Sequence, residues 1–227
     1  MTPFDCYAIA DSLLAGNTAA RWVLVDWLSD LGDFEEANFI RRASASRAGD
    51  LYVAIRQIPA PHVVELGCDF LEHCADAKQR SLYSLLGRVR RLLKRGGSEE
   101  QCDAAVRALA EYRSVERYWY DAERFTAPDD AVHSFSRAVK VALAPEESPR
   151  AAAVAVTAMS RLLRGANLGG FWAKKQQDQL GWQIKQTRLV LGSLQASLIP
   201  RSDSAVERSR RDHSYSPRVA ARAAHPG

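Results

Sequence analysis

The sequence predicts an all-α protein, and three observations indicate this. Apolar residues recur at spacings of three and four along nearly the whole chain. Glycine, proline and helix-capping side chains stand at the ends of these apolar stretches. The one strand-like stretch, Asp50 to Ile58, has no second such stretch to pair with, and an isolated strand is marginal. We therefore interpret it as a short helix, with a strand as the alternative.

The first two helices are predicted from their ends and their apolar residues. The first runs from Phe4 to Ala15 and stops at Gly16, and Asn17 or Thr18 caps the second. The second helix carries apolar residues on more than one face, so neighbouring helices are expected to cover it. These residues are Trp22, Leu24, Trp27, Leu28 and Leu31.

A helical hairpin is predicted next. Gly32 allows a left-handed turn, and Asp33 with Glu36 forms a variant of the capping box that starts a third helix over residues 34–46. The chain then folds back on itself. The side chains expected to pack together are Trp27, Leu28 and Leu31 from the second helix and Phe39 and Ile40 from the third.

This stretch carries a family resemblance. Its sequence reads Arg21-Trp22-Val23-Leu24-Val25-Asp26-Trp27-Leu28, then Gly32-Asp33, then Asn38-Phe39-Ile40-Arg41. It resembles the repeat-companion domain, an uncharacterised short bacterial module with a pattern close to R-L-V-Y-A-D-W-L-x-x-x-G-D-x-x-x-x-E-F-I-R. The chain departs from that pattern at Trp22, Val25 and Asn38, none of which breaks the helical periodicity. The resemblance implies an intracellular helical module that occurs beside diverse partner domains and has no assigned activity.

The remaining periodicity predicts a helical bundle and a tail. Residues 1–48 form the three-helix module, residues 49–199 an antiparallel bundle continuous with it, and residues 200–227 a basic tail with too few apolar residues to fold. Beyond the segment at 50–58, the predicted helices are Pro61 to Cys74, Leu82 to Arg95 before Gly96-Gly97, a long helix from Ser98 through Ala122, Thr126 to Leu143, Ser148 to Arg164, and Trp172 to Ile199.

The last helix has a heptad-like seam that something must cover. Its members are Leu180, Ile184, Thr187, Leu191, Leu194 and Leu198. Gly181 and Gly192 each cost about 1 kcal/mol relative to alanine, so this helix would not persist alone. The seam is short and has Gln177 and Thr187 at inward positions. We therefore predict packing within the chain and a monomer, rather than a coiled coil between two chains.

Composition and motifs exclude several protein classes. With 47% hydrophobic and 26% charged residues, the chain is not collagen-like, mucin-like or fully disordered. No uncharged apolar run approaches the roughly 18 residues of a membrane span, and Met1 to Asp5 lack the order of a signal peptide, so we expect a cytoplasmic protein without membrane association. The sequence has no G-x-x-x-x-G-K-[ST], G-x-S-x-G or H-E-x-x-H motif.

The cysteines and two acidic groups have plain structural interpretations. The four cysteines include no C-x-x-C pair, and we expect reduced, mostly buried thiols. Glu65, Asp69 and His73 share one helix face and could hold a metal, but a solvated polar face is favoured, so no metal or cofactor is expected. Asp26 and Asp30 are expected to form an ion pair with an arginine of the next helix rather than to act in catalysis. The expected partners are Arg41 and Arg42.

The densest basic run could bind phosphates. It consists of Arg88, Arg90, Arg91, Lys94 and Arg95. Tyr118-Trp119-Tyr120 could supply base stacking, although Trp119 also fits the apolar stripe of its helix. The alternative interpretation is an ordinary amphipathic helix with solvated charges.

These observations favour a non-catalytic helical interaction or adaptor protein with a protein partner. The alternative is a nucleic-acid-binding accessory protein that uses the helix from Arg88 to Arg95 together with the tail, and a small enzyme of unrecognised type comes third. Binding to phosphates weakens steeply with salt, whereas apolar helix docking does not, so salt dependence separates the first two.

Overall fold

The protein is all-α in the part of the chain that the structure describes. The computed structural model describes residues 2–75, 80–112, 126–144, 149–165 and 173–199, and within these ranges it has ten helices and no strand. The predicted fold class is therefore confirmed. The helices are α1 (Pro3–Leu14), α2 (Ala20–Asp30), α3 (Phe34–Arg42), α4 (Arg47–Ile55), α5 (Ala60–Cys74), α6 (Arg80–Arg95), α7 (Glu99–Ala110), α8 (Thr126–Leu143), α9 (Pro149–Gly165) and α10 (Ala173–Leu198).

Some predictions fall outside the described residues. They concern the tail at 200–227 and the aromatic residues 118–120. The side chain of Gln177 also lies outside the described part of the structure. In the described helices, none combines the length and apolar character that crossing a bilayer requires.

The start of α2 differs from the prediction. Gly16 has the expected positive φ of 105°, but neither Asn17 nor Thr18 caps the helix through its side chain. The cap position is Ala19, and the backbone carbonyl of Asn17 accepts from the N–H of Ala20 at 3.1 Å. The prediction of a side-chain cap is wrong because a helical turn before α2 already satisfies its first N–H groups.

The α2–α3 hairpin is present, with a smaller interface than predicted. Gly32 has a φ of 78°, and Leu28 and Ile40 are buried in one cluster against which Trp27 and Phe39 pack. Two predictions of burial are wrong. Leu31 is 63% exposed and Trp22 is 56% exposed, because they lie on the sides of α2 that face water.

The ends of α3 also need correction. The carboxylate of Asp33 accepts from the N–H of Glu36 at 3.3 Å, as predicted. The carboxylate of Glu36 does not return to the cap, because it binds Arg56. Helix α3 stops at Arg42 rather than at Ser46, whose hydroxyl instead accepts from Gly49 at the start of α4.

Two apolar clusters form the core, and α1 lies between them. Cys6 and Leu13 of α1 pack with α2, α3 and Val53 of α4. Ala10 and Leu14 of α1 pack instead in the larger cluster with α5 to α10. The boundary predicted at residue 48 falls in the first turn of α4, and α4 contributes to both clusters.

A close approach between helices organises the larger cluster. Gly67 of α5 lies against the rings and methyl groups of α8 and α9. A Cβ atom at Gly67 would stand 2.5 Å from Cε2 of Phe135 and 3.3 Å from Cγ2 of Val156. Glycine therefore permits α5 to pack closely on both helices.

The last long helix packs within the chain, against α1, α4, α5 and α9. Ile184, Thr187 and Leu191 of the predicted seam are buried, and the hydroxyl of Thr187 donates to the carbonyl of Gln183 at 2.8 Å. Leu198 is 45% exposed, so the seam ends earlier than predicted, with Leu194 as its last buried member.

Helix α7 is shorter than predicted. Ser98 and Gln101 form the expected capping box, but the helix ends at Ala110. The N–H of Tyr112 bonds to the carbonyl of Leu109 in a tighter turn, which ends the helical ladder. The rest of the predicted helix, residues 113–122, lies outside the described residues.

Candidate functional site

Arg21, the first residue of the motif at 21–41, joins three elements of the N-terminal module. Its buried guanidinium donates to the carbonyls of Ala43 at 2.7 Å and Ser44 at 2.9 Å, and to Oδ1 of Asp50 at 2.5 Å. Arg21 thereby fixes the α3–α4 connection against α2. The sequence pattern singled out Arg21 without indicating this role, because its partners are two carbonyls and a residue far along the chain.

A second buried ion pair lies beside it. Nε of Arg56 donates to both carboxylate oxygens of Glu36 at 2.8 and 3.0 Å, and the same guanidinium stacks 3.9 Å from the ring centroid of Phe39. Glu36 is fully buried, so the pair is enclosed by the module. Glu36 was predicted to belong to the cap of α3, and its contact with Arg56 was not predicted.

The acidic residues of α2 do not pair as predicted. Arg41 donates to Asn38 at 3.0 Å and to Ser29 at 3.3 Å, and Arg42 donates to the carbonyl of Asn38. No ion pair joins Asp26 or Asp30 to either arginine within the described residues, because both carboxylates point into water. The predicted ion pair is wrong. Asp33, at the start of α3, does form an ion pair, with Arg150 of α9.

The candidate metal face on α5 is occupied by other contacts. Asp69 accepts from Arg90 at 2.6 Å, and Glu72 pairs with the same guanidinium. The ring of His73 stacks on Trp182 with centroids 3.8 Å apart. The described residues contain no cluster of three metal-ligating side chains. The favoured interpretation as a purely solvated face also needs correction, since this face packs on α6 and α10.

The basic run on α6 is divided by its contacts. Burial lowers the pKa of Arg90, but hydrogen bonds to Glu72 and Asp69 outweigh this and raise it above the usual value. The positive charge of Arg90 is therefore paired with two carboxylates of α5. Arg88 reaches the carbonyl of Gln101 at 3.4 Å. The exposed remainder of the run is Arg91, Lys94 and Arg95.

The buried thiols are held in their protonated form. Burial raises the pKa of Cys6 and of Cys68 to about 12. Sγ of Cys6 also donates to Oε1 of Gln57 at 3.5 Å. Because nucleophilic attack needs the thiolate, these two thiols are structural. Cys74 and Cys102 are half-buried, so the cysteines are less buried than predicted.

An open groove runs between α10, the end of α1 and the start of α4. It has a volume of about 490 Å³, and the apolar side chains of Leu14 and Ile184 contribute to its floor. One exposed stripe of α10 lines it at positions i, i+4, i+7 and i+11, which places the four residues on one face. The stripe consists of Gly181, Lys185, Arg188 and Gly192.

The groove is cationic at its rim. Nε of Arg188 donates to Oδ1 of Asp11 at 2.7 Å, and this hydrogen bond raises the pKa of Arg188. Among the described residues that line the groove, Arg47 and Lys185 add two positive charges, against the carboxylate of Asp11. Leu189, which is 59% exposed, adds an apolar side chain at the edge. An apolar floor with a basic rim can hold an acidic, partly apolar segment.

The comparisons with known proteins found no match to this chain among family models, curated proteins or solved structures.

Proposed function

We propose that this protein is a non-catalytic helical interaction protein whose α1–α10 groove docks an acidic amphipathic helix of a partner protein. The observation that carries the proposal is the exposed stripe of Gly181, Lys185, Arg188 and Gly192 on α10. The resemblance of residues 21–41 to the repeat-companion domain points the same way, because that module occurs beside diverse partner domains.

The spacing of the two glycines suits a helical occupant. Gly181 and Gly192 are eleven residues apart, about 16 Å along the helix axis or three turns. A Cβ atom at either glycine would meet nothing within 4 Å, so the space above both is open. The backbone of a docked helix can approach α10 closely at both ends of the groove.

The positive charges between the glycines favour a negatively charged partner. Lys185 and Arg188 lie between the two glycines on the stripe, and Arg47 stands at the opposite wall. Complementary charge steers association and disfavours partners of the same sign. The glutamates of a docked helix would therefore pair with this rim, and its apolar face would pack on Leu189 and the floor of the groove.

A pair of probe peptides tests the proposal. Each is a fluorescein-labelled helix of roughly 14 residues, long enough to span the groove. Both carry leucines on one face, and the flanking residues are glutamates in one peptide and lysines in the other. We expect the glutamate peptide to bind the full chain at least tenfold more tightly, as measured by fluorescence anisotropy.

Two double variants, one that reverses charge and one that fills the groove, test whether the peptide binds there. Arg47→Glu combined with Lys185→Glu should reverse the preference between the two peptides. Gly181→Leu combined with Gly192→Leu should abolish binding by filling the open space. The matched control, Arg91→Glu with Lys94→Glu on α6, makes the same change in charge and should bind as the unaltered protein does. Equal binding of both peptides, or loss of binding only in the α6 control, would overturn the proposal.

The nucleic-acid alternative rests on fewer groups than the sequence suggested. Arg90 is paired with Asp69 and Glu72, which leaves the exposed charges of Arg91, Lys94 and Arg95 on α6. Tight, salt-sensitive binding of a single-stranded oligonucleotide that the α6 double variant abolishes would favour that alternative over docking in the groove.

A further inference from the structure

A separate pocket opens where the α3–α4 connection meets α9. It has a volume of about 280 Å³, and its polar lining includes Arg42, Ser44, Ser46 and Arg161. Among the described residues that line it, none is acidic. The pocket is distinct from the α1–α10 groove, since Arg47 lines the groove while its neighbours Ser46 and Ala48 line the pocket.

The wall that carries the two serines is fixed in position. Arg21 holds the carbonyls of Ala43 and Ser44 from inside the module. On the other side, a Cβ atom at Gly49 would stand only 1.9 Å from the carbonyl oxygen of Ser44, so the loop and the first turn of α4 are in close contact. The Ser46 hydroxyl accepts from Gly49, which leaves its own proton free to donate into the pocket.

Positive charges accumulate beside this wall without counter-charges. The guanidinium carbons of Arg161 and Arg164 lie 4.9 and 4.7 Å from the ring centroid of Tyr52. In the described part of the chain, neither arginine has a carboxylate partner, and the buried Nε of Arg164 has no hydrogen-bond partner. Burial lowers the pKa of Arg164, because desolvation disfavours the charged form of the guanidinium.

We propose that this pocket binds the phosphate group of a small phosphate monoester. Arg161 enters from α9, Arg42 from the end of α3, and the hydroxyls of Ser44 and Ser46 from the connection. The N–H group of Ala48 in the first turn of α4, which has no intrahelical partner, adds a further donor. Such a set of donors from three directions exceeds what the two oxygens of a carboxylate can accept, and suits the three terminal oxygens of a phosphate.

The inference goes beyond the proposed function and is tested independently of it. The probe is O-phospho-L-serine, titrated into the full chain by calorimetry at constant ionic strength, with L-serine and inorganic phosphate as comparison ligands. We expect saturable binding of phosphoserine, none of serine, and weaker binding of inorganic phosphate. Absence of saturable phosphoserine binding would overturn the proposal, and equal affinity for inorganic phosphate would overturn the assignment of a monoester.

Substitutions locate the bound group. Arg42→Gln removes an exposed guanidinium that, in the described part of the chain, donates to the carbonyl of Asn38, so the variant is expected to fold. It should weaken phosphoserine binding at least tenfold, and Arg161→Gln should do the same. Arg107→Gln, an exposed arginine on α7, is the matched control and should bind normally. If Arg42→Gln folds and binds like the control, the ligand lies elsewhere and the proposal is wrong.

Discussion

Arg21 in α2 and Asp50 in α4 form an ion pair in which the nitrogen and oxygen are 2.5 Å apart and the side chains are only 8% and 13% exposed. The pair closes the N-terminal module across 29 residues of sequence. It also fixes the α3–α4 connection, which carries Ser44 and Ser46 of the pocket beside α9. Arg21, for which the sequence pattern indicated no role, therefore joins α2, the α3–α4 connection and α4.

Removal of the Arg21 guanidinium is expected to destabilise the fold strongly. Arg21→Met leaves the Asp50 carboxylate and two carbonyls without their buried donor, which typically costs about 3 to 5 kcal/mol. Arg41→Met removes an exposed arginine of the same motif and should change stability by less than about 0.5 kcal/mol. Urea unfolding of the two variants measures the contrast. Equal midpoints would show that the buried pair contributes nothing.

The hairpin between α2 and α3 is tested by two leucines three residues apart. Leu28 is fully buried against the cluster that contains Ile40, whereas Leu31 is exposed. Leu28→Ala should therefore cost about 2 to 5 kcal/mol, and Leu31→Ala less than about 0.5 kcal/mol. Thermal melting followed by circular dichroism distinguishes them. A larger loss for Leu31→Ala would mean that the hairpin packs in another register.

Two glycines inside helices should respond to alanine with opposite signs. At Gly67 the new methyl group meets the fully buried ring of Phe135, and overpacking of this kind costs about 1 to 3 kcal/mol. At Gly87 the nearest atom is the flexible end of Arg91 at 3.7 Å, so alanine should stabilise α6 by up to about 1 kcal/mol. Chemical denaturation of both variants gives the signs. Stabilisation by Gly67→Ala would contradict the close packing of α5 on α8.

The raised thiol pKa values predict a stability that depends on alkaline pH. The stabilising effect of a protonated Cys6 or Cys68 is complete below the ordinary thiol pKa of about 9, and it is lost as the pH rises toward about 12. At pH 8 both native thiols should resist a disulfide reagent that labels all four cysteines after denaturation. Mass spectrometry identifies the labelled residues. Rapid native labelling of Cys6 or Cys68 would show that these thiols are accessible.

The local features of the fold could be predicted because their causes lie within a few residues. The positive φ of Gly32, the cap at Asp33 and the stripe of α5 each depend on neighbours in sequence. The same periodicity predicted too long an α7 and a buried Leu31, and both predictions are wrong. Periodicity indicates that a residue is apolar on one face, but it does not indicate whether a neighbouring helix reaches that face.

The candidate sites were less predictable because long-range contacts decide them. Arg90 belongs to the densest basic run, yet it forms ion pairs with Asp69 and Glu72 of α5. Conversely, the sequence did not predict a site at Lys185 and Arg188 of α10. They line the rim of a groove because α1 packs against that helix. No local motif carries such an arrangement.

Amide chemical shifts can show where the peptide docks, because glycines lie on both candidate surfaces. In a proton–nitrogen correlation spectrum of the full chain, the glutamate peptide should shift the amides of Gly181 and Gly192 on the groove and leave Gly87 on the basic helix unchanged. The lysine peptide should shift none of them. If the glutamate peptide leaves both groove glycines unmoved, or if a single-stranded oligonucleotide at physiological salt shifts Gly87 while neither peptide binds, the groove is not the docking surface and the account of its function is wrong.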